Sequence, residues 1–372
     1  MRAGWWRWAG VAVVLALVAV PVRAGFEASD LLYVPAVAHN TGLEDSVWRT
    51  DLYITNVDDV PIDVIMVYLP SGLSNNSQYF YDRSMWLGGR ESDGVGFVNE
   101  ALADIPPNGT VVLSDVVGEY WESQLGLNGL GAMVVFAQEA GSLQEDGSRV
   151  YANAVVNARI YNKTVTYEPD PDNEGEYLQV PVTYGQGMPG VPWYNLADPA
   201  AVTDDVDFSF QMLNGAVQNG RYRYNLGIVN ASDPDTTIAV TVQALDSDGE
   251  LFRDESDAPL SILVNMPPLS HVQYTEILST LGIDSADQVT MRVSFVGWSS
   301  TNPDPKPAFT SYGSVVNAGS NDPATVLPSF AFPFNADCMF PDTSTTTLEG
   351  KSMAAVGGGE RRTERPLQVP PR

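Results

Sequence analysis

Two segments set the expected architecture: Arg49-Thr-Asp-Leu-Tyr-Ile-Thr-Asn56 and a near-copy, Arg223-Tyr-Asn-Leu-Gly-Ile-Val-Asn230. Apolar and polar residues alternate in both, which predicts half-buried β-strands because successive side chains of a strand point to opposite faces. Related segments follow each copy in the same order, namely a Pro-Pro pair (106–107 and 267–268) and a Val-Val-Asn segment (155–157 and 315–317). Such an internal repeat predicts a duplicated module.

The remaining pattern indicates short strands rather than helices. Alternating apolar residues around Met66 and around Val240 predict that each repeated segment forms a β-hairpin with the run that follows it. Helix is expected to be scarce, and the best candidates are single turns at 114–125 and 275–281. We therefore predict an all-β protein with two tandem immunoglobulin-like antiparallel β-sandwich domains, at residues 29–196 and 204–335. The first domain carries an inserted loop at about residues 71–99.

The two ends of the chain are expected to lie outside these domains. Residues 1–24 combine early arginines, a short apolar run and small residues before Gly25, as a cleaved signal peptide does. Residues 336–372 contain few large apolar side chains, which predicts a disordered tail. The single cysteine, Cys338, has no partner for an intramolecular disulfide. We expect a secreted or cell-surface protein, with the bacterial periplasm as a further location.

Charge restricts the partners that this protein can bind. The 372 residues include 19 Lys and Arg against 46 Asp and Glu, a formal net charge of −27. Nucleic-acid binding depends on Lys and Arg that neutralise phosphates, so a nucleic-acid partner is not expected. No later segment is apolar for long enough to cross a bilayer, so no membrane insertion is expected after signal cleavage. An extracellular protein or a polysaccharide remains a candidate partner, and the oligomeric state stays open.

Several motifs together resemble a known group of proteins: Val34-Pro-Ala-Val-Ala-His39, Trp48-Arg-Thr-Asp-Leu52, Asn157-Ala-Arg-Ile-Tyr-Asn162 and Tyr224-Asn-Leu-Gly-Ile-Val-Asn230. The group consists of uncharacterised secreted proteins of environmental bacteria, in which two such β modules occur in tandem, alone or appended to larger exported proteins. The resemblance covers about residues 31 to 330. It implies an exported immunoglobulin-like sandwich, and it implies no established activity for particular residues.

The sequence offers little catalytic chemistry. His39 and His271 are the only two histidines, and neither lies in a zinc-binding spacing, so both are interpreted as structural. A Gly-x-Ser-x-Gly nucleophile motif is absent, and Cys338 has no placed histidine. The repeated Arg-x-Asp/Asn-Leu pattern is interpreted as structural too. We predict a protein that is not an enzyme, with a carboxylate-dependent glycoside hydrolase as the weakest alternative.

One acidic segment is a candidate calcium site. Asp246, Asp248 and Glu250 alternate around Gly249, and carboxylate oxygens are the ligands that calcium prefers. The same Asp-Gly sequence between apolar flanks is the preferred turn of a β-hairpin, and no complete EF-hand loop is present. We expect no obligatory cofactor and leave calcium as a hypothesis at these three residues.

Aromatic side chains in loops are the other candidate contacts. Tyr79, Phe80, Tyr81 and Trp86 lie in the inserted loop, and Trp193 lies near the domain boundary. Such rings stack on sugars or anchor a protein partner, although a loop also packs its own aromatics inward. We predict an exported structural or adhesive protein that binds through loops or sheet edges. A carbohydrate-binding module is the alternative.

Overall fold

The computed structural model of the chain is predominantly β, as predicted. It describes residues 27–42, 46–75, 85–88, 99–123, 126–144, 148–169, 171, 177–199 and 209–329. The predicted signal peptide, the tail and Cys338 lie outside the described residues. We call residues 27–199 the N-terminal half and residues 209–329 the C-terminal half.

The N-terminal half forms two antiparallel sheets that share one interior. Sheet A has the order β5-β2-β7-β8, and sheet B has the order β4-β3-β6-β1-β9. The strands are β1 (Leu31–Thr41), β2 (Val47–Asn56), β3 (Ile62–Pro70), β4 (Trp86–Gly88), β5 (Thr110–Leu113), β6 (Gly129–Glu139), β7 (Ala154–Pro169), β8 (Tyr177–Pro189) and β9 (Val191–Pro192). The end of β1 leaves sheet B and pairs with β2, which joins the two sheets.

The C-terminal half has the same strand order. Sheet C runs β14-β11-β16-β17 and sheet D runs β13-β12-β15-β10. The strands are β10 (Phe210–Gln218), β11 (Tyr222–Asn230), β12 (Thr236–Leu245), β13 (Ser261–Met266), β14 (His271–Tyr274), β15 (Ala286–Ser300), β16 (Phe309–Asn317) and β17 (Pro323–Val326). Sheet C therefore corresponds to sheet A strand by strand, and sheet D corresponds to the first four strands of sheet B.

The two repeated segments, β2 and β11, are central strands in equivalent positions. Each ends in a fully buried asparagine, Asn56 or Asn230, whose amide group donates to backbone carbonyls of two neighbouring segments. A buried polar group that is fully hydrogen-bonded ties loops together without a desolvation penalty. The asparagine at the end of each repeated segment therefore holds in place the connection by which the chain passes from one sheet to the other.

Strand register corrects one detail of the repeat. Asn162 lies opposite Trp48 on β2, and Asn317 lies opposite Tyr222 on β11. By position in the sheet, residues 160–162 therefore correspond to 315–317. The sequence alone pairs 155–157 with 315–317, because both segments read Val-Val-Asn. The error arose because a Val-Val pair in a buried strand is common and carries little information on register.

The predicted hairpins between the repeated segments and the following strands are wrong. β2 pairs with β1, β5 and β7, while β3 pairs with β4 and β6 in the other sheet. In the C-terminal half, β11 likewise lies in sheet C and β12 in sheet D, so these two strands do not pair either. Period-two alternation identifies a strand with one buried face but says nothing about its hydrogen-bonded neighbour, and in a sandwich both sheets turn such a face inward. The two predicted helical turns are found at Val117–Glu122 and Ile277–Thr280.

The halves share a third apolar cluster between them. The outer face of sheet B presents Leu69, Val134 and neighbouring side chains, and these pack against Val229 and Leu269 of the C-terminal half. Strand β3 is consequently buried along its entire length. Burying a side chain of this size contributes on the order of 1.5–3 kcal/mol.

Hydrogen bonds also cross this joint. The Tyr33 hydroxyl donates to the Ala231 carbonyl at 3.3 Å, and the Asn75 amide donates to the Leu269 carbonyl at 2.9 Å. The backbone N–H of Gly72 donates to the His271 carbonyl at 3.2 Å. Together with the apolar cluster, these bonds hold the halves in one arrangement.

Candidate functional site

A cleft of about 430 Å³ opens where the outer face of sheet C meets the N-terminal half. Alternating residues of β11, β14 and β16 point into it because one face of each strand is turned outward. Arg223, Asn225, Gln273, Thr275, Tyr312 and Ser314 come from the C-terminal half, and Asn40, Trp48 and Gln186 are among those from the N-terminal half. The volume lies in the range of small-molecule pockets.

Tyr312 forms the aromatic floor of this cleft, and Gly227 makes room for it. The two residues are direct partners across β11 and β16, and a Cβ atom on Gly227 would lie 2.0 Å from the tyrosine ring. Only glycine accepts a ring at that distance, so the small residue and the large one depend on each other. Tyr312 is 1% exposed, and burial raises the pKa of its hydroxyl above the ordinary value.

Behind the floor lies His271, which is fully buried. The Tyr312 hydroxyl donates to Gln273 Oε1 at 2.7 Å, and His271 Nε2 lies 3.2 Å from the same hydroxyl. Since the hydroxyl proton is directed at Gln273, the hydroxyl oxygen accepts a hydrogen bond from the Nε2–H group of His271. In the neutral ring Nδ1 then carries no proton, and Nδ1 has no hydrogen-bond partner among the described residues. Burial lowers the pKa of His271 to about 3, so the ring is neutral and orients Tyr312.

Three of the four amide side chains in the lining present hydrogen-bond donors, whereas the fourth, Asn40, donates its NH₂ to the Thr41 carbonyl at 3.5 Å. The oxygen of Asn225 accepts the backbone N–H of Glu276 at 3.3 Å, that of Gln273 accepts from Tyr312, and that of Gln186 accepts the Ser314 hydroxyl at 3.0 Å. Each of these three amides therefore keeps its NH₂ group, for which the described part of the chain supplies no acceptor. These three groups can donate to a ligand.

Arg223 is the single charged residue among the lining residues that the structure describes. One guanidinium nitrogen, Nη2, donates to Asn321 Oδ1 at 2.8 Å. The Nε atom is shielded from solvent and has no hydrogen-bond acceptor. The other terminal nitrogen, Nη1, has no hydrogen bond among the described residues and is not among the shielded atoms, so it is the donor that a ligand acceptor in the cleft could reach.

The equivalent arginine in the N-terminal half is paired. Arg49 Nε lies 3.0 Å from Asp115 Oδ2, and His39 places one ring nitrogen 2.8 Å from Asp115 and the other 2.6 Å from Glu122. Asp51 Oδ1 accepts the Asp115 backbone N–H at 3.0 Å. Arginine, histidine and carboxylates thus form a closed network on sheet A.

Asp115 and Glu276 occupy matching positions in the two halves. Each has a left-handed backbone, with φ of 44° and 56°, and each donates its N–H to the side chain of Asp51 or Asn225. The repeated Arg-x-Asp/Asn pattern is therefore structural at its second polar residue, as predicted. The arginines of the pattern differ between the halves. Arg49 pairs with Asp115, whereas no carboxylate in the described residues pairs with Arg223.

The two predicted aromatic contact residues that the structure describes, Trp86 and Trp193, do not line the cleft. Trp86 is 2% exposed and its ring runs nearly parallel to that of Phe136, which removes it from any exposed contact surface in this structure. Trp193 is half-buried, and its indole N–H donates to Asp30 at 3.1 Å. Tyr79, Phe80 and Tyr81 lie outside the described residues. Trp48 and Tyr312 are the aromatic residues that line the cleft, and the sequence analysis singled out neither as a binding residue.

The candidate calcium segment forms a turn. Asp246 Oδ1 accepts the backbone N–H groups of Asp248 and Glu250, both at 2.9 Å, and the Gly249 N–H donates to the Asp246 carbonyl. One oxygen of the first proposed ligand is thus occupied by the backbone. Within the described ranges, no three His, Cys, Asp or Glu side chains are arranged to hold a metal ion. The hairpin-turn interpretation accounts for this segment.

Comparison with known proteins does not assign the chain to a family. No protein-family model matches the sequence, and no curated protein matches it significantly. Among the described residues no helix is both long and apolar enough to span a membrane. Any functional conclusion therefore depends on the geometry of the cleft and of the surfaces around it.

Proposed function

We propose that this chain is an exported binding protein without enzymatic activity, and that the cleft between its halves holds a sugar-like ligand. The carrying observation is the combination of the half-buried ring of Trp48 with three amide NH₂ donors in one cavity. Aromatic faces and convergent hydrogen-bonding groups are the usual elements of such sites. Of the two non-enzymatic interpretations of the sequence, the carbohydrate-binding one has this support.

The adhesive, loop-mediated alternative has less support. It relied on the aromatic residues of the inserted loop, and Trp86 is in the interior. A scaffolding role remains compatible with the joint between the halves, which would keep the cleft in a constant shape. The two histidines support the proposed absence of catalysis, because neither offers a free ring nitrogen to a substrate. His271 is buried and neutral, and both ring nitrogens of His39 face carboxylates.

The proposal includes an origin by duplication and an immunoglobulin-like fold for each half. Its support is the shared strand order. Strands β1 and β6 lie side by side as strands B and E of an immunoglobulin sandwich do, and β2, β7 and β8 take the positions of C, F and G. Export is inferred from residues 1–24.

The function is tested with a carbohydrate panel. The protein is screened on a glycan array, and ligands that bind are measured by calorimetry. Thr275→Trp should reduce binding at least tenfold, because this exposed residue lines the cleft and a large ring there occupies it. Ser279→Trp, at an exposed position in the helical turn outside the cleft, is the control and should bind as the natural protein does. Equal binding by both variants would refute the assignment of the cleft.

A further inference from the structure

We propose that the cleft selects a sugar carboxylate, and that Arg223 is the residue that recognises it. The inference deepens the proposed function and depends on it. The ligand class is a hydroxylated carboxylate of sugar size, a uronic acid, either free or as a residue of an acidic polysaccharide.

The internal comparison between the halves is the first argument. Arg49 and Arg223 occupy equivalent positions on β2 and β11. Among the residues that the structure describes, Arg49 has a carboxylate partner, with Asp115 3.0 Å from its Nε, and Arg223 has none. At Arg223 the Nη2 atom donates to Asn321, and Nη1 has no acceptor among the described residues. A ligand carboxylate in the cleft would supply the negative charge that Asp115 supplies in the other half, and a guanidinium group binds carboxylates strongly.

The charge of the lining is the second argument. The protein carries 46 Asp and Glu, but none lines the cleft among the described residues, where Arg223 is the single charged group. An acidic ligand is thus repelled by most of this protein and attracted at one position. A low-dielectric cleft with one sign of charge concentrates ligands of the opposite charge.

The third argument is the direction of the amide groups. Asn225, Gln273 and Gln186 all use their oxygens within the protein and present NH₂ groups. A site with four donor groups, counting Arg223, and no acidic acceptor fits a ligand rich in acceptor oxygens. A uronate provides two carboxylate oxygens together with ring and hydroxyl oxygens, and its apolar ring face can stack on an aromatic side chain.

The experiment compares galacturonate with galactose by calorimetry on the whole protein. We expect galacturonate to bind at least tenfold more tightly, because hydrogen bonds to charged groups are the stronger ones. Arg223→Gln should abolish this preference. Arg49→Gln is the matched control and should preserve it, since Arg49 already pairs with Asp115.

A second variant covers the case in which Arg223→Gln does not fold. Gln273→Glu keeps the oxygen that accepts the Tyr312 hydroxyl but introduces a negative charge. It should weaken galacturonate binding at least tenfold more than galactose binding, because loss of the NH₂ donor affects both ligands whereas the added charge repels only galacturonate. Trigalacturonate is the third ligand, and binding of it without binding of the monosaccharide would support the proposal and identify a polysaccharide as the source.

The outcomes separate this inference from the proposed function. Equal affinity for galactose and galacturonate, or an unchanged preference in Arg223→Gln, would overturn the role of Arg223 and leave the sugar-binding cleft standing. Failure of all three ligands to bind overturns the uronate proposal, and the glycan array then decides whether the cleft binds another sugar.

Discussion

Acidification is expected to destabilise this protein through His271. The ring is 1% exposed, and burial lowers its pKa to about 3 from an unfolded value of 6.5. The unfolded chain therefore takes up a proton as the pH falls through 6.5 while the folded protein does not, so the stability is full above that pH and is lost below it. Between pH 7 and pH 5 this difference amounts to about 2 kcal/mol, and the loss continues until about pH 3.

The assay is urea unfolding followed by tryptophan fluorescence at half-unit steps from pH 7 to pH 5. His271→Gln removes the titrating group, so the natural protein should lose about 2 kcal/mol more than the variant over this interval, whatever their stabilities at pH 7. His39→Gln serves as the control because it retains His271, the only other histidine. Parallel stability curves for the natural protein and His271→Gln would refute the buried, neutral assignment.

Two further substitutions test the turn and floor geometries. Gly227→Ala should destabilise the protein by about 1–3 kcal/mol in chemical unfolding, because the added methyl group collides with Tyr312, whereas Gly220→Ala meets no atom within 4 Å and should stay within about 0.5 kcal/mol. An unaffected Gly227→Ala would mean that the floor is more loosely packed than described. Asp246→Ala should cost about 0.5–1.5 kcal/mol and Asp246→Asn less, since asparagine keeps the oxygen that accepts the turn N–H groups. Calcium should leave the melting temperature of the natural protein unchanged, and a rise that Asp246→Ala abolishes would restore the metal hypothesis.

Strand positions were predictable because alternation reports burial directly. Leu52 and Ile54, with Leu226 and Ile228, are all fully buried as their spacing indicates. The sheet to which the following strand belongs was not predictable, since Met66 and Val240 face the same interior from the opposite sheet. Burial fixes the face of a strand, whereas pairing depends on contacts distant in sequence.

The cleft was even less accessible from sequence. Its residues come from β1, β2, β6, β7, β8, β11, β14, β16 and β17 and from connecting segments. No local pattern brings Gln186 to within 3.0 Å of Ser314. One signal was present: the glycine at position 227, where the first copy has Tyr53, marks a place where another group approaches the backbone. That group is Tyr312, the cross-strand partner.

The joint between the sandwiches also constrains how this protein can evolve. Leu69 and Val134 on one side, and Val229 and Leu269 on the other, are shielded only while both halves are present. A protein that kept a single half would expose these apolar side chains and would need polar replacements at those positions to remain soluble. Sequences that contain only one half should therefore differ from this chain first at the joint, and a gene fusion that transfers the unit to another protein should move both halves together.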